Sequence, residues 1–205
     1  MTFYEDRVLP RMIDLMLGNA KMGKLRERAL EGISGRVLEV GFGSGTNLPY
    51  YPSSVTELLA IDPAVAARRL ATKRLGATKL PVEFIGLDGQ HVPLEDNSVD
   101  NVASTWTLCT IPDMGLALSE IRRVLRPGGE LFFLEHGHST SPAVAARQAR
   151  FEPLQKKIAG GCHLTRDHRT MIEMAGLEIT QLSTFQIAGP KITGFMYAGR
   201  ARKAA

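Results

Sequence analysis

Leu38 to Pro52 reads LEVGFGSGTNLPYYP. One acid, Glu39, and three alternating glycines, Gly41, Gly43 and Gly45, interrupt or follow the apolar residues Val37, Leu38 and Val40. An apolar run that ends in glycines reads as a strand entering a turn. Residues without a Cβ there mean one of two things: a turn too tight for side chains, or a ligand pressed against backbone N–H groups. What surrounds the turn decides between them.

Outward from it, strand-like runs recur at Val37–Val40, Leu58–Ile61, Val82–Ile85, Val99–Ser104 and Leu131–Leu134. Helical spacing fills the gaps at Ala64–Leu75 and Met114–Leu125, the second ended by Arg126-Pro127-Gly128-Gly129. That alternation predicts a parallel sheet with helices on both faces. Two helical segments precede it, one around Val8–Leu17 and one over Lys21–Leu30. Val144–Ile158 reads as a helix broken near Pro153, and Thr165 as the cap of a short helix that stops at Gly176. Leu177–Phe185 and Ile192–Ala198 predict an antiparallel hairpin, because their connection holds no helix. Arg200, Arg202 and Lys203 read as a tail.

Of 205 residues, 44% are hydrophobic and 22% charged, which excludes disorder and fibre and suits one domain with a sizeable core. Within it, residues 1–32 read as an N-terminal helical cover, 33–205 as a catalytic core and 139–176 as an insertion or lid on the acceptor side. The net charge of +4 is carried by scattered pairs such as Arg68-Arg69 and Lys156-Lys157, so no nucleic-acid partner is expected. No integral membrane anchor or signal peptide is read, and the two cysteines suit a reducing compartment; a cytoplasmic location is expected.

Asp62 ends the second strand, where a carboxylate accepts from ribose hydroxyls, or else caps the helix after Pro63. Asp88 follows the third strand and is either an acceptor for an adenine amino group or a turn acid. Together EVGFGSG, AIDPA, LDGQHVPLEDNSVD and RRVLRPGGELFFLEH resemble the class I S-adenosylmethionine-dependent methyltransferases, in order and spacing. The resemblance implies a Rossmann-like, doubly wound, seven-stranded, mostly parallel α/β sheet closed by an antiparallel C-terminal hairpin, with S-adenosyl-L-methionine as cofactor. It implies that Glu39 meets the methionine amino group, that Gly41, Gly43 and Gly45 line the cofactor, that Asp62 holds the ribose, and that Asp88 and Gly89 hold the adenine. Thr105 and Trp106 would lie beside the transferred methyl. TWTLCTIPDMGLALSEIRRVLRPGGELFFLEH followed by FEPLQKKIAGGCHLTRD is similar to the thiol S-methyltransferase group, which methylates hydrogen sulfide and alkyl thiols.

A small-molecule acceptor is therefore expected, preferably a thiol or hydrogen sulfide, with a quinone, phenol or lipid amine as the alternative. A non-catalytic module that binds a nucleotide or a partner is the reading from another class. A thiol of pKa about 8.5 already supplies some thiolate near neutrality, whereas a phenol needs a base. His136, at the end of the fifth strand beside Glu135, is the candidate base, or else an orienting histidine. Trp106, Cys109, Cys162, His163 and Tyr4 are candidates for the acceptor side, and Phe3, Tyr4 and Met12 for core or pocket cover. Cys109, His136, Cys162 and His163 show no paired ligand spacing, so no metal is expected.

Overall fold

The computed structural model describes residues 4–204, so Phe3 lies outside the described residues. Seven strands form one sheet: β1 (Gly35–Val40), β2 (Val55–Ile61), β3 (Val82–Gly86), β4 (Val99–Thr105), β5 (Leu125–His136), β6 (Leu177–Gln186) and β7 (Phe195–Lys203). Their order is β3-β2-β1-β4-β5-β7-β6. The first five pair in parallel, and β7 runs antiparallel between β5 and β6. The chain winds one way from β1 through β2 to β3, then returns to lay β4 on the other side of β1. The carboxyl ends of β1 and β4 thus flank a switch point, where sheets of this kind leave a crevice.

Alternating side chains send the two faces into separate cores. Leu38, Val40, Phe133 and Tyr197 pack with Met114, Leu118 and Ile121 of α4 (Met114–Val124) and Ile172 of α6 (His168–Met174). Val37, Leu58 and Phe132 face Phe42, Leu30 and Ala71 of α3 (Val65–Ala77) on the other side. Burying each large apolar side chain contributes about 1.5–3 kcal/mol, which is what ties the helices to the sheet. The remaining helices are α1 (Leu9–Leu17), α2 (Ala20–Ala29) and α5 (Pro142–Ile158), and a π-helical turn (Tyr4–Val8) leads into α1. Among the described residues no helix is long and apolar enough to cross a membrane.

Several local expectations need correction. α5 begins at Pro142 and continues through Pro153 without a break. Pro153 removes one N–H from the helical ladder, but both it and Ala149, whose carbonyl that N–H would have met, are exposed, so water satisfies the freed group. The cap of α6 is Asp167, whose side chain accepts from the Thr170 N–H, while the Thr165 hydroxyl donates to Glu152 Oε2 at 2.6 Å. β5 reaches back to Leu125 because that residue already pairs with Val99, leaving the Arg126–Gly129 turn as an irregularity inside the strand. β7 starts at Phe195 and takes in the supposed tail: Glu130 pairs with Arg202, and the Lys203 ammonium donates to the Leu125 carbonyl at 2.7 Å.

Candidate active site

The three glycines of the turn stand in different surroundings. Gly41 has φ +83°, and a Cβ there would collide with the Thr107 side chain. That position is closed by the approach of the loop after β4. Gly43 has φ +54° and nothing within 4 Å of where its Cβ would stand, so the backbone there faces open space. Gly45, at φ +73°, packs against Leu48 and Phe42. The Gly43 N–H donates to Asp62 Oδ2 at 2.6 Å, and Asp62 Oδ1 accepts from the Ala64 N–H at 2.7 Å. Asp62 is buried, which pushes its carboxyl above the usual range, while the two N–H donors pull it back. It ties down the turn and the Ala64 N–H but does not cap α3, whose N-cap is Ala64 without a side-chain bond, and each of its oxygens keeps a lone pair to offer.

Glu39 points to the face of β1 opposite Leu38 and is 1% exposed. Its carboxylate accepts from Asn47 Nδ2 and from the Tyr51 hydroxyl, both at 2.8 Å, and the Thr105 hydroxyl donates to Asn47 Oδ1 at 3.2 Å. Burial raises the Glu39 pKa to about 7 against the pull of these donors. Arg26 of α2 is 3% exposed and contributes to the same charge balance. Its Nη2 donates to Thr46 Oγ1 at 2.8 Å and its guanidinium lies 4.4 Å from the Trp106 ring centroid. Its Nε and Nη1 meet no acceptor among the described residues. Sequence reasoning missed Arg26, which has no signature within a helix of ordinary charged residues. Asn47 and Tyr51 stood in the opening stretch as the polar residues just past the glycines.

Asp88 is exposed and accepts from the Gln90 N–H at 2.9 Å and from the His91 ring at 2.9 Å, and His91 holds its carboxyl below the usual range. A Cβ on Gly89 would press to 2.7 Å from Val40, so only glycine lets that loop approach β1.

At the ends of β4 and β5 the organising group is Glu135, which is fully buried. It accepts from the Ser104 hydroxyl at 2.7 Å, from the N–H groups of Thr107 and Leu108 at 3.1 Å each, and from that of Cys109 at 3.2 Å. Burial pushes its carboxyl up, and the four donors oppose that. This clamp holds the loop in which Trp106 has φ +52°, a conformation that costs energy in a non-glycine residue and tends to mark working sites. His136 follows, with its ring centroid 6.4 Å from that of Trp106. Its Nδ1 faces Cys162 Sγ at 3.8 Å and Cys109 Sγ at 4.0 Å, and the two sulfurs are 3.7 Å apart. The structure therefore gathers three of the four residues whose spacing signalled nothing. His163 is not among them: its Nδ1 meets Glu152 Oε1 at 3.1 Å. The Tyr4 hydroxyl donates to the Ile158 carbonyl at 2.6 Å, tying the N-terminal segment to the end of α5. A groove of about 660 Å³ lined by Leu48, Leu70, Arg74 and Lys79 lies elsewhere and includes neither Glu39 nor His136.

Comparison with known proteins places the chain in a family. A methyltransferase-domain family matches residues 38–133. The chain is 37% identical over 159 residues to the thiol S-methyltransferase TMT1B of Rattus norvegicus, covering 75% of this chain and 65% of that protein's length, a little under two thirds. It is 31% identical over 183 residues to the thiol S-methyltransferase TMT1A of Homo sapiens, covering 80% of this chain and 72% of that one. Haemonchus contortus phosphoethanolamine N-methyltransferase 2, solved with phosphomonomethylethanolamine and S-adenosylhomocysteine, shares the fold with a TM-score of 0.75 at 14% identity over 98% of this chain and 60% of that one. With the glycine turn at the switch point and the reversed β7, these likenesses show that the chain belongs to the class I S-adenosylmethionine-dependent methyltransferases, close to their thiol S-methyltransferase group.

Proposed function

We propose that this protein methylates a small-molecule acceptor at the expense of S-adenosylmethionine, and that the acceptor atom is the sulfur of a thiol or of hydrogen sulfide. The degree of the likeness carries this reading. The family domain stops at residue 133, whereas the chain is 37% identical to a thiol S-methyltransferase over 75% of its length, a higher identity than its match of similar extent to a demethylmenaquinone methyltransferase, 29% over 71%.

When bound, the cofactor supplies a methyl group on a sulfonium sulfur. The residues present fit it: Gly43 leaves open space, Asp62 has lone pairs for ribose hydroxyls, and Arg26 carries two buried nitrogens, Nε and Nη1, in need of an anion. In this reading Arg26 takes the cofactor's carboxylate and Glu39 its ammonium. Gly41 and Gly45 shape the turn, Asp88 and Gly89 border the adenine, and Thr105 and Trp106 stand beside the methyl. A thiolate acceptor would bring its own electron pair to the methyl group that the bound cofactor would supply, so the chain's residues need only place it in line and keep water out. Positioning and exclusion of water do most of the work, and no strong base is required. The acceptor side comprises Trp106, Cys109, His136, Cys162, His163 and Tyr4.

Two predictions test the cofactor roles. Glu39 has a folded pKa of about 7, raised above its ordinary 4.5, so the native state holds an extra proton between those values. Its contribution to stability is full below the ordinary value and is lost as pH rises through about 7. An ammonium partner needs the carboxylate, so S-adenosylhomocysteine should bind with release of a proton and gain affinity as pH rises to that value. Calorimetry in buffers of different ionisation enthalpy measures this; binding without proton exchange on the acid side rejects the role. Arg26→Met should weaken S-adenosylhomocysteine binding by about 10- to 100-fold, the worth of hydrogen bonds to a charged group, without lowering the melting temperature, because a buried charge with unpaired N–H groups is removed. Parent-like affinity would take Arg26 out of the site.

The function itself is tested by mass-spectrometric detection of S-adenosylhomocysteine released with thiols, hydrogen sulfide, quinones, phenols and lipid amines. Turnover of phenols or quinones with no thiol methylated would reject the sulfur acceptor and leave methyl transfer standing.

A further inference from the structure

Cys109, His136 and Cys162 come from three separate places: the loop after β4, the end of β5 and the turn after α5. Their ligand atoms all lie within 4.8 Å of one another. A tetrahedral zinc ion, with Zn–S of about 2.3 Å and Zn–N of about 2.0 Å, sets its ligands roughly 3.8 Å apart for two sulfurs and roughly 3.5 Å for sulfur and nitrogen. The observed separations are 3.7 Å between sulfurs and 3.8 and 4.0 Å from sulfur to Nδ1. A disulfide would bring the sulfurs to about 2.05 Å.

The framework holds these positions from outside. Glu135 fixes the Cys109 N–H, and the Cys109 carbonyl accepts from the His163 N–H at 2.8 Å. The Arg166 guanidinium donates to the carbonyls of Leu108, Ile111 and Pro112, wrapping the loop that carries Cys109. The His136 carbonyl accepts from His168 Nε2 at 2.7 Å. Gly160 and Gly161, both at positive φ, turn the chain after α5 so that Cys162 folds back, and a Cβ on Gly161 would crowd the Thr110 carbonyl. Both sulfurs are buried. Two thiolates and a neutral imidazole balance a divalent charge, and three protein ligands leave a fourth position open, the pattern of catalytic rather than structural zinc sites.

We propose that Cys109, His136 and Cys162 bind one thiophilic divalent cation, zinc foremost, and that the fourth position receives the acceptor sulfur. The second half rests on the thiol-methyltransferase reading above. The acceptor thiol binds the cation as a thiolate, its proton passing to solvent, and is held near Trp106, which stands three residues before Cys109. His136 is then a ligand and not a general base.

The test uses the full chain, purified anaerobically with a phosphine reductant. Elemental analysis should find about one zinc per chain. After chelation, cobalt(II) should bind in equal stoichiometry, with a thiolate-to-cobalt charge-transfer band and the intense visible bands of a tetrahedral site, and zinc should displace it. Cys162→Ser and His136→Ala should lose stoichiometric binding, while the control His138→Ala, whose side chain is exposed, should keep it. Melting temperature and S-adenosylhomocysteine affinity show whether each variant folds; if a variant does not, the parent's cobalt spectrum decides alone. Substoichiometric metal with no charge-transfer band overturns the site. If cobalt binds but benzyl mercaptan leaves its spectrum unchanged, or if the chelated protein methylates the thiol at the parent rate, the acceptor role falls and the metal site stands. A shifted spectrum without release of S-adenosylhomocysteine on adding S-adenosylmethionine supports the site and instead refutes the thiol-acceptor reading.

Discussion

Asp62→Ala should lower the affinity for S-adenosylhomocysteine by about 10- to 100-fold, corresponding to about 1.5–3 kcal/mol for hydrogen bonds to a charged group. Two losses combine. The carboxylate that would take the ribose hydroxyls disappears, and so does the acceptor of the Gly43 N–H at 2.6 Å, which holds the glycine turn in shape. A third contact, to the Ala64 N–H just ahead of α3 at 2.7 Å, is lost as well. Asp62→Asn keeps one acceptor oxygen and some of the turn's support, so its affinity should fall between those of the parent and the alanine variant. Calorimetry with S-adenosylhomocysteine, and with NAD as a control, measures both. Parent-like binding by the alanine variant, or tight binding of NAD, would remove Asp62 from the cofactor site.

Glu135→Ala should have the largest effect on stability, about 3–5 kcal/mol. Four donors, from Ser104, Thr107, Leu108 and Cys109, lose their shared acceptor where water has little access, and an unsatisfied buried donor costs about 1–3 kcal/mol. Relief from burying the carboxylate, and whatever water enters, offset part of that sum. Glu135→Gln fits the same space, but its amide presents an N–H group to a ring of donors and should recover only part of the loss. Urea denaturation of the three proteins measures the effect, and a change below about 1 kcal/mol for the alanine variant would show that the loop is held by other contacts. Surviving protein should also bind cofactor and metal poorly, because Trp106 and Cys109 hang from this clamp.

The sequence by itself determined the parallel core, the glycine turn, the acid at the end of the second strand and the antiparallel C-terminal hairpin. Each is written in local terms: an alternating pattern for a strand, a helical period, a residue that tolerates positive φ, or an acid at a strand end. The same locality explains where boundaries slipped. Pro153 reads as a break because a proline removes a helical hydrogen bond, but the ladder tolerates that loss where water reaches the freed carbonyl. Arg200, Arg202 and Lys203 read as a tail because they are charged, yet β7 keeps Ala201 buried in the core and lets the charged side chains reach Glu31, Glu178 and Asn97 at the edges.

Only the tertiary structure decided what the polar groups do. Whether Gly41 is a steric necessity and Gly43 an opening depends on how close the loop after β4 comes, and no spacing encodes that distance. Arg26 becomes a site residue because α2 folds over Trp106 and buries it. Glu135 becomes a clamp because four donors from another strand and its loop converge on it. Cys109, His136 and Cys162 meet although 27 and 26 positions separate them along the chain, because the sheet sets β4 beside β5 and the glycine turn after α5 folds back onto both. Strands and helices are set by interactions among neighbours in sequence, whereas ligand clusters are set by which strands are neighbours in the sheet.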